Sequence, residues 1–199
     1  MRLRVCVLAL SVCTPLAAAE RSVSDIHHGR ADGDVGFVFA AGTTLAPRGP
    51  RAVVDLRFRW ADTLGVYVGY EDGLGSTTDP KRLVGGGLEV RPLYLLRTRS
   101  GSELGLARLD LMIDSLGFEL GTFFSQPRGA QLGPRPGLQV GLGLEIPVFA
   151  SATGIWLGVH SGLRWSDSAL AGDELRGPSD RHAYLTFSLA WHQIFGARK

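Results

Sequence analysis

The chain is short of thiols and of lysine. Its two cysteines, Cys6 and Cys13, both fall in the opening segment MRLRVCVLALSVCTPLAAAE. Arg2 and Arg4 charge the start, Val5 to Val12 form an apolar run, and Ala17-Ala18-Ala19 offer small residues for cleavage. This reads as a secretory signal peptide over 1–19. The run is too short for a spanning helix, which needs about 20 apolar residues. Beyond it the chain has no thiol, which excludes disulfides, thiolate metal sites and cysteine nucleophiles there. Lipid attachment at Cys13 is an alternative that Val12, directly before it, fits poorly. Lysine occurs only at Lys81 and Lys199. Loss of 1–19 removes two arginines and no acid, so 19 basic residues face 19 acidic ones. With no basic cluster, no nucleic-acid partner is expected. No later run reaches 18 apolar residues, so a spanning structure would have to be a closed barrel.

What the chain does have is alternation. From Val54 to Trp60 the apolar residues Val54, Leu56, Phe58 and Trp60 are separated by Asp55, Arg57 and Arg59. After Asp62-Thr63 the pattern resumes, with Leu64, Val66, Val68 and Tyr70 against Gly65, Tyr67, Gly69 and Glu71. Period two means strand, because successive side chains point to opposite faces. Two such runs around Asp62-Thr63 predict a hairpin, although that pair is not a favoured turn.

Six more strands follow from the same reading, after a polar lead-in over 20–33. They are Asp34 to Leu45, Arg82 to about Leu93, Leu116 to Phe124, Gly137 to Val148, Ile155 to Trp165 and His182 to Phe195. Loops over 46–51, 74–81, 126–136 and 166–180 alternate with tight turns, as in an up-and-down barrel. The insert 94–115 breaks the pattern on the short-turn side. Leu109, Met112, Ile113 and Leu116 recur there at helical spacing, and Ser102-Glu103 could start a short amphipathic helix, at a rim or under the lumen.

Alternation allows two opposite structures. A soluble barrel packs its apolar face inward, whereas a membrane barrel turns it to lipid and fills its lumen with polar groups. The soluble form, binding a small apolar ligand, would place Leu56, Phe58, Leu142 and Leu144 inside. Glycine favours the membrane form. Gly36, Gly42, Gly65, Gly69, Gly85, Gly87, Gly117, Gly121, Gly141, Gly143, Gly158 and Gly162 share the polar face, and Gly86 does not. A solvated face has no steric use for glycine, but the interior of an eight-stranded barrel is only just wide enough for side chains. The same face carries Arg57, Arg59, Arg91 and Arg164 with Asp55, Glu71, Glu89, Glu119 and Glu145, and His160 and His192 join them. Buried charges of this kind persist only when paired. Trp60, Tyr70, Phe124, Trp165, Trp191 and Phe195 mark strand ends on the apolar face, where membrane barrels carry interfacial girdles. The expected fold is therefore an all-β, eight-stranded antiparallel transmembrane barrel over 34–199.

With its leader, eight alternating strands and last strand YLTFSLAWHQIF, the chain resembles small outer-membrane β-barrel proteins of Gram-negative bacteria. The resemblance is architectural, without a diagnostic motif. It implies outer-membrane lipid and the barrel-insertion machinery as partners, and an extracellular partner reached through the loops. Such proteins often end on an aromatic residue, whereas Gly-Ala-Arg-Lys follows Phe195 here. Outer-membrane lipid A deacylases share this size and architecture, and their His-x-Ser-Asn motif puts His and Ser on one face. Here Ser161 directly follows His160, so the two face opposite ways and cannot meet as base and nucleophile. His192 with Ser188 or Tyr184 shares a face, as a polar lumen produces by chance. No catalytic residues are therefore expected. His27-His28 lacks a third ligand at metal-binding spacing, so no metal is expected. The Gly-rich GxGxE segments lie within strands, not at a helix start, which rules out phosphate-loop cofactor binding.

Overall fold

The computed structural model describes residues 35–75, 78–172 and 181–196. The leader, the lead-in 20–33 and the last three residues lie outside them, as do parts of the loops at 74–81 and 166–180. The strands are β1 Val35–Leu45, β2 Arg51–Trp60, β3 Leu64–Gly73, β4 Arg82–Val90, β5 Gly117–Gln126, β6 Gly137–Pro147, β7 Gly154–Trp165 and β8 Arg181–Phe195. Each pairs antiparallel with its neighbours, and β1 closes on β8 from Val35↔Phe195 to Leu45↔Leu185. Closure leaves no strand edge unpaired, the condition for holding a sheet in hydrocarbon.

The side chains are sorted inside out. Phe58 is 54% exposed on the outer face while its neighbours Arg57 and Arg59 are 4% and 2% exposed. Leu56 and Leu142 also point outward, and Leu144 is half-buried on the same outward parity. That is the opposite of what a soluble ligand-binding barrel requires. The strands are 9 to 15 residues long, enough to cross a bilayer core at the usual tilt of about 45°. The protein has the architecture of a transmembrane barrel.

One end carries the start of β1, the end of β8, the β2–β3 and β6–β7 turns and the insert between β4 and β5, and the other carries the remaining loops. The tight turn differs from the expected Asp62-Thr63 pair. Trp60 pairs with Leu64, and Thr63 N donates to Trp60 O at 3.0 Å, so Ala61 and Asp62 form the bend. Both adopt positive φ, 47° and 48°. Two left-handed residues match the twist of a hairpin.

The insert holds two helices, α1 Pro92–Ser100 and α2 Ala107–Asp114, where the sequence predicts a single one starting near Ser102. The proline occupies the first position of α1, where its missing N–H costs no helical bond. Ser102 and Glu103 do not cap α2, because its N-cap is Leu106. The inward side of α2 also differs from the expected apolar stripe. Leu109, Met112 and Ile113 are only half-buried, whereas Asp110, Leu111 and Asp114 are buried. Arg97 of α1 explains this by pairing with both aspartates. Leu111 belongs to an apolar cluster with Val38, Ala40, Ala152, Trp156 and Ala190. The insert therefore lies under the lumen at the short-turn end, tied to β6 where Ser115 Oγ accepts from Glu145 N at 2.8 Å.

Candidate functional site: the charged lumen and its loop end

Parity puts the glycine-rich, charged face of the strands inside, and the lumen is built as tiers. At the short-turn end, Arg59 donates to Glu89 at 3.0 Å and to Glu145 at 2.9 Å. Arg91 donates to Glu89 at 2.8 Å and to the other oxygen of Glu145. Two guanidiniums and two carboxylates thus form a closed ring. His192 Nε2 lies 3.3 Å from Glu145 Oε2 without the alignment of a hydrogen bond. Its ring is stacked on Trp156, centroids 4.5 Å apart.

In the middle tier Arg57 Nε donates to Asp55 at 2.6 Å, and Arg57 Nη1 donates to Glu119 Oε1. His160 Nδ1 sits 2.8 Å from the same Glu119 oxygen. Ser161, one residue on, is exposed on the outer face.

Near the loops Arg164 grips Glu71 with two hydrogen bonds, 2.6 and 3.1 Å, and donates to Gln139 Oε1 at 3.1 Å. Its guanidinium lies over the Tyr184 ring, 4.1 Å from the centroid. Gln139 in turn donates to the Tyr67 hydroxyl at 2.7 Å. Arg51 completes this tier. It is 1% exposed, donates to the carbonyls of Pro80 and Asp79 at 3.3 Å each, and lies 3.7 Å from Glu71.

The sequence predicts a loop at Arg51, because it follows Pro50 in a Pro/Gly stretch, but the residue opens β2. With it, five guanidiniums (Arg51, Arg57, Arg59, Arg91, Arg164) face five carboxylates (Asp55, Glu71, Glu89, Glu119, Glu145) in the lumen. Sequence reading also passed over Trp156 and Phe123 as lumen residues. Parity was the available signal: Trp156 lies two residues before Gly158, and Phe123 two after Gly121.

The packing leaves a cavity of about 50 Å³ whose lining includes Asp55, Arg57, Tyr67, Glu119, His160 and Ser188. That is room for a few waters. Among the described residues, no group of three His, Cys, Asp or Glu side chains is arranged to hold a metal ion.

The aromatics divide between the ends. Trp60 and Phe195 lie opposite Val35 at the short-turn rim, with Trp191 four residues inward, opposite Phe39. Tyr70, Phe124 and Trp165 lie toward the loop rim. Trp60, Tyr70, Trp191 and Phe195 are exposed on the outer face, and Phe124 and Trp165 are half-buried there.

No protein-family model and no curated protein sequence matches this chain. Among solved structures it is similar to the N-terminal β-barrel domain of Pseudomonas aeruginosa OprF. The TM-score is 0.42 at 5% identity, covering 81% of this chain and 98% of that one. It is also similar to Neisserial surface protein A, with TM-score 0.39, 12% identity and coverage of 81% and 96%. A third is Ail, the attachment invasion locus protein of Yersinia pestis, with TM-score 0.33, 9% identity and coverage of 80% and 96%. The chain resembles small eight-stranded outer-membrane β-barrels.

Proposed function

We propose that this protein is an outer-membrane barrel of structural or surface-interaction type that presents its longer loops on one side of the bilayer and conducts nothing. The observation that carries this is the sorting of one strand. In β2, Leu56, Phe58 and Trp60 face out while Arg57 and Arg59 are sealed in ion pairs. Only hydrocarbon outside makes that order favourable, since burying a phenylalanine or leucine side chain is worth about 1.5–3 kcal/mol over leaving it in water. Its partners on this reading are outer-membrane lipid, the barrel-insertion machinery during assembly, and an extracellular molecule met by the loops at 74–81, 126–136 and 166–180.

Catalysis is not part of the proposal. His160 and Ser161 point to opposite faces, and the lumenal His160–Glu119 pair is enclosed by Arg57, with only a small cavity beside it. The experiment is membrane fractionation of the expressed protein, followed by gel mobility with and without boiling. The expected result is recovery with detergent-extracted outer membranes and a heat-dependent shift. A protein that stays in the soluble fraction as a monomer would end this reading.

A further inference from the structure

The insert between β4 and β5 leaves an apolar surface uncovered. Arg97 pairs with Asp110 and Asp114, so its side of α1 is turned to α2. At 3.6 residues per turn, a residue two positions from Arg97 falls near the opposite side of the helix. Leu95 and Arg99 hold those positions, with Leu96 beside Leu95. Leu95 and Leu96 are 53% and 61% exposed. The connector to α2 adds Leu104 and Leu106, which are also exposed. Scattered leucines need no explanation, but these four share one short insert at one end of the barrel.

That end is where the lipid-facing surface stops. Val90, the last residue of β4, lies on the outer face between Leu64 and Phe118, both exposed. Trp60 pairs with Leu64 and marks the same rim. α1 opens at Pro92, two residues after Val90. The apolar outer face therefore runs up to the root of α1, whose nine residues span about 14 Å. The charges select the kind of surface. Arg99 and Arg108 are exposed, whereas Asp110 and Asp114 are buried against Arg97 and Glu103 is half-buried. Among the described residues, the exposed charge of the insert is basic.

We propose that the insert is an interfacial anchor for anionic phospholipid at the short-turn end. Leu95, Leu96, Leu104 and Leu106 enter the headgroup boundary of that leaflet, and Arg99 and Arg108 meet its phosphates. Burial of the leucines and attraction of the arginines to a negative surface act together. α2 holds the insert in place through Leu111 in the apolar cluster and Ser115 on β6, which reduces the ordering that docking requires. The proposal rests on the transmembrane reading and adds a lipid class at one leaflet.

The experiment uses the full chain with Cys6→Ser and Cys13→Ser, which leaves no native thiol. Single cysteines, Leu96→Cys, Leu142→Cys or Ala130→Cys, carry a nitroxide spin label. Position 142 on the outer face reports hydrocarbon, and the exposed loop position 130 reports water. Each protein is placed, one copy per disc, in nanodiscs of phosphatidylcholine alone or mixed with phosphatidylglycerol. The readout is accessibility to a neutral water-soluble nickel chelate and to dissolved oxygen, which concentrates in hydrocarbon. In mixed discs the label at 96 should be about threefold or more less open to the chelate than the label at 130. Phosphatidylcholine alone should protect it less. Arg99→Gln with Arg108→Gln should return it, in mixed discs, to its value in phosphatidylcholine. Heat-dependent gel mobility confirms that each variant is folded. A label at 96 as open as the one at 130, while 142 reports hydrocarbon, ends the anchor and leaves the barrel reading intact. A label at 142 that reports water ends both. Equal protection of 96 in the two lipids, unchanged by the double substitution, overturns the assignment to anionic headgroups.

Discussion

Gly143 stands directly across the β6–β7 ladder from His160, where a Cβ would come within 2.6 Å of the imidazole Nδ1. That nitrogen is the one facing Glu119. The missing side chain at 143 is thus the space the histidine occupies, which explains physically why glycine accumulates on the charged face. Gly143→Ala should push the imidazole off Glu119 and destabilise the barrel by about 1–3 kcal/mol, the usual cost of overpacking. Urea unfolding followed by tryptophan fluorescence would show it, and an unchanged midpoint would mean that the lumen has slack.

The Arg164–Glu71 fork gives a second expectation. Arg164→Met leaves a buried carboxylate with the imperfectly placed Arg51 as its remaining cation, at a cost of about 3–5 kcal/mol. Adding Glu71→Gln restores the charge balance and should recover part of the loss. A double-mutant cycle measures this coupling, and additive losses would mean that the two residues act independently.

On the outer face the sign reverses. Leu142, midway along β6 and 45% exposed, should tolerate Val or Phe but not charge. Leu142→Arg should cost about 2–4 kcal/mol near the bilayer midplane and lower the yield of heat-modifiable protein. A neutral effect would place this surface in water.

Alternation at Val54–Trp60 identified the strand, its two faces and the arginines, because period two survives any uncertainty about register. It could not place Arg51, since a proline two residues after another loop signal reads the same whether a turn continues or a strand begins. Nor could it resolve 92–100. PLYLLRTRS has no clean helical stripe, and its packing depends on Arg97 meeting Asp110 and Asp114, residues 13 and 17 positions away. Tertiary ion pairs leave no periodic trace.

The β2–β3 turn offers a stabilising change. Ala61 holds φ 47°, a region that costs residues with a Cβ about 1–2 kcal/mol. Part of the gain from Ala61→Gly is lost to a more flexible unfolded chain. The net expectation is stabilisation of about 0.5 kcal/mol, read as a small rise in unfolding midpoint; a fall would mean that the methyl group has a packing role.

The insert should respond to acid. Burial acts to raise the Asp110 carboxyl, but the amide of Leu104, at 2.9 Å, and the guanidinium of Arg97 outweigh it, so the group sits below its ordinary 3.8. A depressed carboxylate contributes stability that is complete above its unfolded value and is lost as pH falls through the folded one. The α1–α2 pairing should therefore hold from neutral pH down to about 4 and loosen below that. Hydrogen exchange of the α2 amides across this range tests it, and Arg97→Met should flatten the profile.

Equal numbers of guanidiniums and carboxylates inside the wall have a last consequence. A transmembrane potential does work on a protein in proportion to the charge it carries across the field. Here the charges sum to zero, but the middle tier holds Arg57 against Asp55 and Glu119 while the loop-side tier holds Arg51 and Arg164 against Glu71, which leaves a dipole along the axis. An applied voltage should therefore act on the barrel's orientation through that dipole, and not through a net charge.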